Sequence, residues 1–205
     1  MATFYKGTTP ILNPAKIGGE APVRVYQGGA ALGNVPKVGD DVGYGYIYKV
    51  DDNGQAMVVS NEDYTGSLSS PYLFQWSNGF CSISPAESLT DGRQNMYNLW
   101  YNSTGGCLFQ LGYDVYENLY ITGSLWGGEG GWYIPAENEL EEVYNSGVLF
   151  SGRYTSGDGG YYFSSTGDLG IGANPYGRML SFNTGVWANS SESDPDARCR
   201  LIRRL

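Results

Sequence analysis

Glu137, Glu139, Glu141 and Glu142 crowd the stretch PAENELEEVY, residues 135–144. Two carboxylates facing each other across a cleft can do acid–base work on a glycosidic bond. Here all four fall on one predicted helix, where early acids complement the positive end of the helix dipole and the rest meet water. Glu62 and Asp63 sit in a predicted loop with no partner visible in the sequence. The chain contains no histidine, which excludes Ser-His-Asp and Cys-His catalysis and any histidine-bearing metal site. Its three cysteines, Cys81, Cys107 and Cys199, are too few for a four-thiolate zinc centre or a disulfide framework and read as small buried apolar residues. No phosphate-binding G-x-x-x-x-G-K-[ST] occurs, and Gly170-Ile171-Gly172 lacks the remaining glycine of the dinucleotide fingerprint. Gly127, Gly128, Gly130 and Gly131 surround Glu129 and predict a loop whose one chemical use would be to cradle an anion. Asp51-Asp52-Asn53-Gly54 has the acid content of a calcium loop without its alternating ligands or distal glutamate, so a hairpin turn explains it better. The expectation is a binder and not an enzyme, with no catalytic residues, no metal and no cofactor.

Composition narrows the partners. The net charge is −9 over 205 residues, which argues against nucleic acid, whose phosphates require clustered Lys and Arg. The one basic cluster is Arg198, Arg200, Arg203 and Arg204, where arginines alternate with Cys199 and Leu201 as in a strand with one wet face. No run of about 18 apolar residues is present, so membrane insertion is not expected. The first ten residues lack the charged start and apolar stretch of a secretory signal. The sequons at Asn102 and Asn189 carry little weight without one.

The elements that must position any binding residues come next. Residues 1–38 hold two aromatic-led strand fragments, FYKGTTPI and VYQGGAAL. They are too short to bury a core of their own, so attachment to a partner (a tail protein, for instance) or homo-oligomerisation is expected of them. A boundary falls near Asn34, Pro36 and Gly39. Two β-rich runs, residues 42–50 and 55–60, flank an Asn-Gly and predict a hairpin. Helices are predicted over 91–102, with Met96, Leu99 and Trp100 inward, and over 136–146, with Leu140, Val143 and Tyr144 inward and Gly147 as its stop. Short strands are predicted at 148–150, 161–164, 178–182 and 197–202. Two helices, many short strands and long loops make an α+β pattern.

Several motifs also fall in a specific order. GYGYI leading to GQAMVVS (residues 43–47 and 54–60), FQWSN (74–78), DGRQN (91–95), WYIPAENEL (132–140), YYFSST (161–166) and ARCR (197–200) together resemble the Legionella collagen-like adhesin C-terminal domain family. The match spans about residues 39–205. Ala136 stands where that family has a serine N-cap, which leaves Glu139 without a capping-box partner and should weaken the helix start by about 1 kcal/mol. Phe163 also stands in place of a tryptophan. The resemblance implies a C-type lectin-like fold, with two helices, small twisted antiparallel sheets and long loops. It implies the same fold as formylglycine-generating-enzyme-like proteins, whose active-site region has no counterpart here. The variable proteins of diversity-generating retroelements also share it, and they carry diversified residues near the C-terminus between fixed scaffold segments.

The last segment suits that role. Residues 183–196 show neither strand alternation nor helix caps, so a surface loop or ribbon is expected, held by scaffold strands on either side. The expected ligand-binding surface, within a diversified span of about 181–198, is Asn183, Thr184, Val186, Trp187, Asn189, Ser190, Ser191, Ser193, Asp194 and Asp196, extended by Tyr161, Tyr162 and Tyr154. Trp187 is the expected anchor, against the alternative that it plugs the core. Trp76, Trp100 and Trp132 are expected to be buried. Only Trp187 and Glu192 in that span lie beyond the reach of adenine-directed changes to an Asn codon, a pattern ordinary composition produces as well. An adhesin-like domain without a leader suggests a phage tail or fibre tip protein, binding a host cell-surface protein or glycan from the virion. The alternative is a non-diversified bacterial surface adhesin of the same fold, and an enzyme of the formylglycine-generating type ranks behind both.

Overall fold

The computed structural model describes residues 35–64, 86–102, 112, 115–117, 131–149, 160–169, 175–190 and 197–205. The 1–34 segment and Trp76, Cys81, Cys107 and Tyr154 lie outside the described residues. The predicted hairpin is present: β1 (Gly45–Val50) pairs antiparallel with β2 (Ala56–Ser60). Its turn is closed by Asp51, whose carboxylate accepts the Asn53 and Gln55 N–H groups at 2.9 and 2.7 Å. Gly54 takes a φ of 75° there, a conformation open to glycine at little cost. The acid-rich quartet is therefore a turn.

Helix α1 (Gly92–Tyr101) starts where Asp91 accepts the Arg93 and Gln94 N–H groups, both at 3.1 Å. A cap of this kind contributes about 1 kcal/mol. Helix α2 (Glu137–Ser146) ends at Gly147 in the left-handed conformation, φ 68°. Met96, Leu99, Leu140 and Val143 are buried as the periodicity predicts, while Tyr144 is half-buried. The start of α2 differs from expectation. Glu139 is not short of partners: one carboxylate oxygen accepts from Ala136 N at 2.9 Å and Gly92 N at 3.0 Å, and the other from the Tyr133 hydroxyl at 3.0 Å. Thr166 Oγ1 accepts the Glu137 N–H at 3.0 Å. A residue from a distant strand thus does the work of the missing serine.

That strand is β3 (Tyr161–Leu169), followed by β4 (Pro175–Ser181) and β5 (Trp187–Ser190), which form an antiparallel sheet in the order β3-β4-β5. The last strand, β6 (Ile202–Arg204), joins the first hairpin in a sheet of order β1-β2-β6. Among the described residues the chain is α+β, with two helices of ten residues and two small antiparallel sheets. The core gathers between them around Trp132, Ile134, Phe163, Leu201 and Ile202.

Two strand predictions do not hold. Val148 and Leu149 are buried but belong to no strand. Residues 197–201 also form no ladder and run as a strap between the two sheets. Phe163 N donates to Arg198 O at 2.9 Å, Arg198 N to Tyr161 O at 3.0 Å, Tyr64 N to Cys199 O at 2.8 Å and Ser60 N to Leu201 O at 2.9 Å. The wet arginine face is corrected as well: Arg198, Arg200 and Arg203 are buried, and only Arg204 of the four is exposed. Trp132 is buried as expected, whereas Trp100 is half-buried, with its indole N–H donated to Glu117 at 2.5 Å.

Candidate functional site

The site is the β4–β5 hairpin with the strap that follows it. In the hairpin register Leu180 faces Trp187, Met179 faces Ala188 and Arg178 faces Asn189. The WANS stretch shows no alternation, so its strand character comes from pairing with β4, and the expected loop is an edge strand over residues 187–190. The turn is closed by Ser181 N donating to Val186 O at 3.0 Å and Gly185 N donating to Ser181 O at 2.7 Å. Phe182, buried beneath it, meets Tyr144 and Tyr162 edge-on at centroid distances of 5.4 and 4.9 Å. An aromatic nail of this kind fixes the turn's position on the core.

Gly185 explains the path of the chain. Its φ is 70°, and a Cβ there would sit 2.9 Å from the Tyr144 hydroxyl oxygen. Gly185→Ala is expected to lower stability by more than about 1 kcal/mol, because both the conformation and the space are denied to a side chain. The melting temperature should fall by at least about 2–4 °C, as read by circular dichroism. An unchanged melting point would mean the turn adapts freely.

On this mount Asn183, Thr184, Val186 and Asn189 face water, Val186 at 58% exposure. Trp187 matches neither simple expectation: it is partly buried and packed against the core. The Arg178 guanidinium lies 5.4 Å from its ring centroid. Arg178 is itself held by Glu137 at 3.0 Å and by Asn189 Oδ1 at 2.6 Å. This tripod ties the edge strand to the start of α2. Nothing in the sequence pairs Arg178 with Glu137, 41 residues apart.

Tyr161 is half-buried beside the hairpin. Tyr162 is a correction: it is fully buried, and its hydroxyl donates to Asp63 Oδ1 at 3.1 Å, so it presents nothing to a ligand. Adjacent strand residues point to opposite faces, and the inward face fell to Tyr162. The side chains of Ser190, Ser191, Ser193, Asp194 and Asp196 lie outside the described residues.

Asp63 is the residue that sequence reasoning undervalued. Its carboxylate joins Arg198 at 3.3 Å and Arg200 at 2.5 Å, and Arg200 also donates to Ser60 O at 2.8 Å. Burial, then the neighbouring Asp63 charge, pushes the Tyr162 hydroxyl up to about 12, so it stays a donor. Burial likewise raises the Cys199 thiol, which keeps it neutral and inert as a small core residue. The cluster clamps the strap at the point where the chain returns from the hairpin. It builds a mount, with no nucleophile–base pair in it, and among the described residues no group of three or more acidic or cysteine side chains is placed to hold a metal ion. No described helix is long and apolar enough to cross a membrane. No protein-family model matches the chain, and no curated protein matches its sequence.

Proposed function

We propose that the chain is a ligand-binding adhesin with a C-type lectin-like domain over about residues 39–205. Its contact surface is the β4–β5 hairpin and the segment that follows it, up to the buried strap. In this reading it is the receptor-binding protein of a phage tail or fibre tip, with residues 1–38 as its attachment segment. Its partner is a host cell-surface protein or glycan, and diversification by a retroelement would fall within residues 181–198 at positions that face water, such as Asn183, Thr184 and Val186, and not at Phe182, Gly185 or Arg198.

One observation carries the reading: Asn183, Thr184 and Val186 face water on a hairpin whose base is locked by Phe182, Gly185 and the Arg178 tripod with Glu137 and Asn189. Side chains on such a mount can change without disturbing the core, and rigid scaffolds that carry variable loops are how binding surfaces are commonly built. Trp187, with one side on the core and Arg178 beside its ring, supplies a rigid aromatic floor.

The test separates surface from scaffold. Thr184→Glu combined with Val186→Glu is expected to abolish binding of the labelled protein to host cells and to leave the melting temperature unchanged. Trp187→Ala should lower both, with a binding loss of about 2 kcal/mol or more. Full cell binding by the Thr184/Val186 double variant would overturn the assignment of the surface. For diversification, the decisive observation is in flanking DNA: a reverse-transcriptase gene and a near-copy of the 3′ coding end that differs only at adenines.

A further inference from the structure

Four arginines of this chain rest over aromatic rings. Arg93 lies 5.7 Å from the Tyr133 ring centroid, Arg178 5.4 Å from that of Trp187 and Arg200 5.9 Å from that of Tyr162. Arg203 lies 5.0 Å from the Tyr44 centroid and 5.5 Å from that of Trp132. The negative face of each ring attracts the cation above it. One aromatic cluster has exposed rings and no such cation.

That cluster stands at the C-terminal end of α1. The Tyr97 ring centroid lies 6.0 Å from those of Trp100, Tyr101 and Tyr116, and the Trp100 and Tyr116 centroids are 4.8 Å apart. Tyr97 and Tyr101 are four residues apart, so they share one face of the helix. Their ring planes are inclined by only 20° to each other. Trp100 and Tyr116 are half-buried beside them, whereas Tyr97 and Tyr101 are 42% and 65% exposed. Among the described residues no Lys or Arg lies over Tyr97, Trp100 or Tyr101.

The charges at this end all have one sign. The last turn of α1 carries no basic residue, so nothing on the helix itself answers the negative end of its dipole. Glu117 brings a carboxylate to the same place: its Oε1 accepts the Trp100 indole N–H at 2.5 Å. Glu117 makes no ion pair among the described residues. With a net charge of −9 on the whole chain, the surface attracts a cation and repels an anion. The rings decide which cation. A guanidinium is planar and weakly hydrated, stacks on aromatic faces and offers a fork of N–H groups to a carboxylate, while an ammonium is compact and holds its water. We infer that the end of α1 is a docking surface for an arginine side chain presented by a partner protein, with Tyr97 and Tyr101 beneath its planar face and Glu117 as its counter-charge.

This surface shares no residue with the β4–β5 hairpin, so the inference stands apart from that reading. The full chain, labelled with nitrogen-15 at its tryptophans, is titrated with a capped Gly-Arg-Gly peptide and followed by NMR. The Trp100 indole signal, assigned by its loss in Trp100→Phe, is expected to shift saturably. The same peptide with citrulline in place of arginine, equal in shape but neutral, is expected to leave that signal in place, and the lysine peptide to bind more weakly. Tyr101→Leu, a change at an exposed position, should weaken the arginine peptide about threefold and leave the melting temperature unchanged. Glu117→Gln keeps an acceptor for the Trp100 indole and removes the charge, so it should also weaken binding about threefold. The Thr184/Val186 double variant should bind the peptide as wild type does. The inference is overturned if the Trp100 signal does not respond to the arginine peptide, or if the citrulline or lysine peptide binds as tightly. Wild-type affinity in Tyr101→Leu overturns it as well, because the exposed rings would then take no part.

Discussion

Asp63→Ala is expected to cost about 3–5 kcal/mol of folding stability, among the largest effects of any single substitution in this chain. The Asp63 side chain is 10% exposed and lies between the guanidinium groups of Arg198 and Arg200, which are 9% and 4% exposed. Its removal leaves two buried cations without their counter-charge and takes the acceptor from the Tyr162 hydroxyl. The loss measures the cost of stranded charge, not the net worth of the ion pairs, which burial of three charged groups largely offsets. Asp63→Asn keeps the shape and one acceptor oxygen but not the charge, so it should fall between wild type and alanine. Urea denaturation provides the check, along with a melting temperature lower by about 6–20 °C for a chain of this length. A loss below about 1 kcal/mol would mean the strap is held by its backbone hydrogen bonds and apolar residues alone. The hairpin should suffer with the strap, because Arg198 bonds to the backbone of β3 on one side and to Asp63 on the other.

Trp132→Ala is expected to destabilise by a similar amount, about 3–5 kcal/mol, through a different cause. Trp132 is fully buried, with Tyr44 edge-on at 5.8 Å and the Arg203 guanidinium 5.5 Å from its ring. Tyr44 presents its own ring to the same guanidinium at 5.0 Å. Loss of the indole opens a cavity and also strips one aromatic face from a buried cation, a contact worth about 2 kcal/mol when desolvated. Trp132→Phe keeps an aromatic face and should recover much of the loss. Equal melting temperatures for the phenylalanine and alanine variants would show that volume alone matters at this position. Position adds to the effect: Tyr133 exchanges backbone hydrogen bonds with Ile202, both at 2.9 Å, so the residue after Trp132 stitches the start of α2 to β6.

The contrast between these two residues marks how far the sequence reaches. Trp132 was legible as core, because a large aromatic residue beside a helix start is buried in almost any fold. Asp63 was not: its value comes from arginines 135 and 137 residues further on, at positions 198 and 200, and no local pattern encodes that meeting. The first hairpin, the two helices, the Gly147 stop and the α+β class were all readable for the same reason. Each rests on signals within about ten residues, set by backbone geometry and side-chain periodicity.

Tertiary structure decided the rest. It gave α2 its cap from Thr166, where the sequence showed only an alanine. It turned WANS into an edge strand by laying it against β4. It also buried Tyr162 and left Tyr161 half-buried, a choice that alternation permits but does not make. The arginine run is the plainest case. Alternation correctly set Arg198 and Arg200 on one side and Cys199 and Leu201 on the other, and water was the default for the charged side. Asp63 and the Tyr162 ring, brought from elsewhere in the chain, took the place of water at Arg198 and Arg200, and the Tyr44 and Trp132 rings did so at Arg203. Local sequence fixes which residues share a face, and only the assembled fold determines what that face meets.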